Sequence, residues 1–206
     1  MARIDTLFAT QLYRGQVPPA KARALNTALA RAALAIAEGD EAGRRWALEN
    51  AYAGYTSYAS LDDLAWRDPV FAELARLLDI HAAEFVRGLH FDLGGRKVVL
   101  DSLWVNVMEP AGAHTGHIHP HSVLSGTYYV SVPTGSGALK FEDPRLAMMM
   151  AAPPRRPRAP QGSRSFVYIE PKPGLVLMWE SWLRHEVMPS RAKRPRISVS
   201  FNYGWR

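Results

Sequence analysis

The 206-residue chain contains no cysteine. That removes a disulfide framework, a thiol nucleophile, a zinc–thiolate site and an iron–sulfur cluster from the possible chemistries. There is no apolar run of the ~18 residues that a membrane-spanning helix requires. The opening Met1-Ala2-Arg3-Ile4-Asp5-Thr6 lacks the charged-then-apolar pattern of a secretion signal. A cytoplasmic location with no membrane partner is therefore the expectation. Acidic residues are in the minority, 19 against 25 Lys and Arg, which gives a net charge of +6. The excess is concentrated in two Pro-containing stretches, one at 153–164 and one at 191–196. These read as solvated loops, so nucleic acid is not the expected partner. The alternative is that they steer an anionic substrate or partner.

Apolar content of 48% and charged content of 21% are ordinary for a soluble globular protein. The length suits one domain, 1–206, with a sizeable core. The first half, 1–95, reads as a mainly helical scaffold. A short strand is expected from Thr6 to Tyr13. Pro18 and Pro19 open a helix that runs from Ala20 to Glu38, with Gly39 ending it through a left-handed backbone. Asp40 caps a second helix, and residues 51–61 read as a loop or short strand. Asp68-Pro69 starts a strongly amphipathic helix with Val70, Leu74, Leu77, Leu78, His81, Phe85 and Leu89 on one stripe. His81 on that stripe is expected to be packed and hydrogen-bonded.

After Gly94-Gly95 the pattern changes to short strands separated by Gly and Pro turns. That pattern suits a sandwich or barrel, and helices followed by strands make the fold α+β. Within it lies His117-Ile118-His119-Pro120-His121. In extended backbone, residues i and i+2 share a face, about 6.5–7 Å apart. His117 and His119 can therefore aim at one point. A distant His185 follows the apolar run Leu175 to Trp179, and Arg196-Ile197-Ser198 opens the last strand. Neutral imidazoles on one face make a metal site with open positions. Two other ligand sets stay open from the residues alone: the pair His119 and His121, or a shell completed by Asp143 or Glu180. Arg196 offers a bidentate fork of the kind a dicarboxylate needs, with Ser198 on the same face.

Taken together, these motifs resemble a bacterial family of 2-oxoglutarate/Fe(II)-dependent oxygenases, prolyl-hydroxylase-like in its strands. The resemblance rests on His117-Ile118-His119-Pro120, Ser125 to Tyr129, Gly137 to Arg145 and Arg196 to Asn202, and on the opening Leu7 to Tyr13. It implies a double-stranded β-helix (a jelly-roll, cupin-like core at 96–206) with the N-terminal helices outside one sheet. It implies Fe(II) on His117, His119 and His185, with 2-oxoglutarate as cosubstrate. Arg196 and Ser198 would bind the distal carboxylate, with Tyr129 as a second donor and Tyr128 as its only substitute on the strand. Asn106 could hold the keto-acid end or be only a strand-edge amide. The implied reaction oxidises, most simply hydroxylates, a small-molecule or peptide substrate and converts 2-oxoglutarate to succinate and CO2. A homodimer is compatible with the sequence.

The competing expectations are a cupin-like three-His dioxygenase or isomerase that uses no 2-oxoglutarate, and a non-enzymatic metal- or ligand-binding module. His114 and His121 read as neighbours of the site or incidental to it, Trp182 as a pocket wall, Met148 to Met150 as an apolar edge, and the insert at 155–165 as a lid or a plain loop.

Overall fold

A computed structural model describes residues 1–206. In chain order the elements are β1 (Leu12–Gln16), α1 (Pro19–Gly39), α2 (Glu41–Glu49), β2 (Gly54–Thr56), α3 (Leu64–Arg67), α4 (Pro69–Leu89), β3 (Val98–Met108), β4 (His114–His117), β5 (Leu124–Ser131), β6 (Leu139–Glu142), β7 (Phe166–Ile169), β8 (Leu175–Glu180), β9 (His185–Val187) and β10 (Arg196–Trp205). The strands form two antiparallel sheets. One has the order β1-β8-β5-β10-β3-β2 and the other β4-β9-β6-β7.

Side-chain parity explains the layering. In a strand, successive residues point to opposite faces. In β8, Val176 and Met178 join a core with the helices, while Leu175, Leu177 and Trp179 pack between the sheets. In β10, Ile197, Val199, Phe201 and Tyr203 meet the helices. The other parity of β10, Arg196, Ser198 and Ser200, faces inward to the cavity. In β3, Val105 and Val107 face the helices and Trp104, Asn106 and Met108 face in. The large sheet is thus covered by α1 and α4 on one side and by the small sheet on the other. This is the expected α+β jelly roll with helices outside one sheet.

The helices form where the sequence starts and stops them. Asp68 accepts the Val70 N–H at 2.9 Å and Pro69 occupies the first turn of α4. Phe71, Leu74 and Leu78 from its buried stripe are wholly inaccessible. Burying each such side chain stabilises the fold by roughly 1.5–3 kcal/mol. His81, on the same stripe, is held by the Tyr13 hydroxyl at 2.7 Å, as a packed and bonded histidine.

Three expected boundaries differ. The first strand is Leu12–Gln16, because only there does the chain pair with β8, and residues 6–11 have no partner strand. Gly39 does not end α1 in a left-handed conformation. The next helix begins at Glu41, and the left-handed residues that close helices in this half are Ala51, after α2, at φ 52° and His90, after α4, at φ 56°. The stretch 97–108 is one strand rather than two.

Candidate metal centre

β4 and β9 pair so that His117 and His185 are direct cross-strand partners. Their ring centres are 4.4 Å apart. His119 follows β4 by two residues, and its backbone N–H donates to the Ser181 carbonyl at 3.0 Å. Its ring centre lies 5.1 Å from that of His117 and 5.3 Å from that of His185. One ring nitrogen from each of the three falls within 4.8 Å of the others. Small side-chain rotations would bring all three to the ~2.0–2.1 Å of a metal–imidazole bond.

Two hydrogen bonds orient the rings. The His117 Nδ1 faces the Thr115 carbonyl at 2.8 Å, and the His185 Nδ1 faces the Leu183 carbonyl at 2.9 Å. Carbonyl partners place the proton on Nδ1 and leave the Nε2 lone pair for a cation. Burial, then the neighbouring His117, pushes the His185 pKa down to about 3. His119 is pushed down to about 4 by burial and then by His117. His117 is also lowered, chiefly by burial, against the opposing Thr115 carbonyl. All three are therefore neutral at pH 7, as ligands must be.

The rings open onto a cavity of about 240 Å³. Arg196, 5% exposed, stands at its inner wall. One guanidinium nitrogen donates to the Gly137 carbonyl at 3.2 Å and the other approaches the Met108 sulfur at 3.6 Å. Gly137 permits this because a Cβ there would lie 1.8 Å from the Met188 carbonyl oxygen. The Arg196 Nε has no partner, and no carboxylate neutralises the group. A buried charge without a counter-charge is costly. An anion in the cavity would remove that cost, and one with a second carboxylate could reach the imidazoles as well. The residues present therefore fit both a divalent metal and a dicarboxylate.

Ser198 and Tyr129 line the same cavity. Tyr129 is buried beside Arg196, and burial pushes its pKa up to about 12, so it remains an O–H donor. Tyr128 has the opposite parity and donates to Asn26 Oδ1 on α1 at 2.7 Å. Asn106 also lines the cavity, with much of its amide already engaged. Its Oδ1 accepts from Tyr52 and Thr56, and its Nδ2 donates to Ser200. The Trp179 ring stands 4.6 Å from that of His185, and its buried Nε1 also lacks a partner.

Several other expected contributors lie elsewhere. His121 is exposed and outside the cluster of three. Asp143 is clamped by Arg145 at 2.9 Å, and neither it nor Glu180 lines the cavity. Trp182, 46% exposed, does not line the cavity. The insert at 155–165 contributes no wall to it either. Gln161, Gly162 and Arg164 instead border a separate groove with the N-terminal segment. His114 does line the cavity, its ring 4.3 Å from that of His117. The sequence reading missed Trp46, Tyr52, Thr56 and Tyr58, which the helical half supplies to the cavity. The density of aromatics over 46–58 was the available signal.

Residues 102–202 match the family model described as "Putative 2OG-Fe(II) oxygenase". No curated protein matches the sequence. Among solved structures, the chain is similar to a Pseudomonas putida prolyl-4-hydroxylase, with 15% identity, a TM-score of 0.55 and coverage of 97% of this chain and 94% of that one. It is also similar to the non-heme alpha-ketoglutarate-dependent epimerase SnoN from nogalamycin biosynthesis, with 17% identity, a TM-score of 0.62 and coverage of 95% and 77%. A third is HygX from Streptomyces hygroscopicus, solved with nickel and 2-oxoglutarate, with 16% identity, a TM-score of 0.58 and coverage of 95% and 82%. At these identities the three structures establish the fold, a double-stranded β-helix. The segment 102–202, which holds the three clustered imidazoles, Arg196 and Ser198, is the part of the chain that carries the 2OG-Fe(II) oxygenase family match.

Proposed function

We infer that the chain hydroxylates a C–H bond of an organic substrate, with Fe(II) on His117, His119 and His185 and 2-oxoglutarate anchored by Arg196. The observation that carries this reading is the buried, uncompensated Arg196 in the same small cavity as three neutral imidazoles. When bound, iron and 2-oxoglutarate supply the oxidising chemistry: O2 and the keto acid yield succinate, CO2 and the hydroxylated product.

The protein's part is placement. Arg196 holds the far carboxylate through its fork, and the Ser198 and Tyr129 hydroxyls donate to the same group. Asn106 fixes the Tyr52 hydroxyl, whose pKa burial pushes up to about 12, and keeps one amide hydrogen for a ligand oxygen. Trp104, Trp179, Leu139 and Val187 line the cavity with apolar surface and limit water around the imidazoles.

Family enzymes of this chemistry commonly use two His and one carboxylate. Here the cluster is all imidazole, and no Asp or Glu lines the cavity. That observation favours one competitor, a three-His dioxygenase or isomerase without a keto-acid cosubstrate. Anaerobic addition of Fe(II) and then 2-oxoglutarate separates the two. A weak visible charge-transfer band, followed by stoichiometric succinate on admitting O2, supports the oxygenase. Stoichiometric metal binding with neither band nor succinate contradicts it.

A further inference from the structure

Outside the imidazole cluster and Arg196, the cavity continues along a row of aromatic rings. Trp104 lies 6.0 Å from His119, Tyr58 lies 5.2 Å from Trp104, and Trp46 lies 6.3 Å from Tyr58, each measured between ring centres. All three line the cavity. Exposure rises from 7% at Trp104 to 56% at Tyr58, and Trp46 flanks that opening half-buried. The row therefore leads from the metal position to open solvent.

The row is braced. Asp40 caps α2, which carries Trp46, through the Gly43 N–H at 2.9 Å. The same carboxylate accepts from the Tyr55 hydroxyl at 2.7 Å and the Ser60 hydroxyl at 2.5 Å, on either side of Tyr58. Burial raises the Asp40 pKa, but the Ser60, Gly43 and Tyr55 hydrogen bonds outweigh it and hold the group below its ordinary value. One anion thus ties together both segments that bear the outer rings.

We propose that this row is the primary-substrate subsite and that it takes a flat, uncharged ring, the end group of a larger molecule. The proposal rests on the oxygenase reading for the meaning of "substrate". Three observations fix the chemistry. Aromatic faces and edges favour a ring that stacks or packs edge-to-face. No Asp or Glu lines the cavity, so an ammonium finds no carboxylate there, and the permanent charge of Arg196 in the same cavity opposes the pull of the aromatic faces on it. The one permanent cation, Arg196, is committed to the cosubstrate, so a second carboxylate finds no partner. Size fixes the rest. Drug-sized ligands occupy cavities of about 300–1,000 Å³, whereas this one measures about 240 Å³ and must also admit a five-carbon diacid. One ring fits inside, and the remainder of the molecule lies over Tyr58 and Trp46.

The test is calorimetry with three bicyclic probes, 2-naphthol, 2-naphthoate and protonated 2-naphthylmethylamine, on Ni(II)-loaded protein with and without 2-oxoglutarate. The neutral probe should bind at least about tenfold more tightly than either ion. Tyr58→Ala and Trp46→Ala should each weaken it about three- to tenfold, while Tyr58→Phe retains it. Unchanged 2-oxoglutarate affinity in these variants checks their folding. Equal binding of the charged probes, indifference to both alanine variants, or no naphthol binding overturns the subsite. Failure of 2-oxoglutarate to bind the wild-type protein, with naphthol still bound at Tyr58, instead overturns the oxygenase reading and leaves the ring subsite standing.

Discussion

The guanidinium carbon of Arg196 lies 5.8 Å from the centre of the Tyr129 ring. Both groups are almost completely buried, and both belong to the inward face of the large sheet. A permanent cation beside a phenol that keeps its proton is suited to a carboxylate, as the proposed function requires, and the adjacent strands β10 and β5 hold the two in fixed register.

That pairing predicts a contrast between neighbouring tyrosines. Tyr129→Phe should weaken 2-oxoglutarate binding by about tenfold or more, since a hydrogen bond to a charged group is worth roughly 1.5–3 kcal/mol. Tyr128→Phe should leave that affinity unchanged. It removes instead the bond to Asn26 on α1, costing about 1 kcal/mol of stability. Paired calorimetry and thermal melts of the two variants check both halves. Equal effects on affinity would refute the parity assignment.

Metal content gives a second prediction. His185→Ala removes one corner of the cluster of three and should lower Fe(II) or Ni(II) affinity by more than the roughly 10–100-fold typical of losing a supporting residue. His121→Ala, at an exposed position outside the cluster, should leave it unchanged. Metal analysis after dialysis against a weak chelator distinguishes them, and retention of metal by the His185 variant would exclude the site.

The imidazoles also set a pH dependence for the metal-free protein. The folded-state pKa values of His185, about 3, and of His114 and His119, about 4, lie below the ordinary ~6.5 of an unfolded histidine. Their contribution to stability is complete above ~6.5. It is lost as pH falls towards the folded values, because the unfolded chain binds protons first. His81, lowered by burial, acts in the same direction. The melting temperature should therefore fall between pH 6.5 and 5, above the main carboxylate range, and saturating metal should raise it most near neutrality. A midpoint flat across that window would contradict the burial of neutral imidazoles.

Much of this geometry was readable in the sequence because it follows from strand parity. Arg196 and Ser198 share a face for that reason, whereas His119, two residues past the end of β4, is set by its backbone bond to Ser181. Parity could not say which face of β5 the helices cover, so Tyr128 and Tyr129 separated only once α1 was seen against the sheet. The first strand was misplaced because residues 6–11 alternate without any strand to pair with. The aromatic density over 46–58 marks Trp46, Tyr52 and Tyr58 as notable, but nothing local places them at the cavity. Tyr52 and Tyr58 flank β2, which pairs antiparallel with β3 across a separation of 50 residues at Thr56 and Asn106, and Trp46 sits on α2 just ahead of it; local periodicity does not encode such a pairing.

The most direct test of the whole account is a calorimetric titration of 2-oxoglutarate into metal-loaded wild type and Arg196→Ala. Truncating one partner of a buried charge pair costs about 2–5 kcal/mol, so the variant should bind at least about thirtyfold more weakly while its metal content stays at the wild-type level. Equal affinity in the two proteins would show that no diacid is held by Arg196.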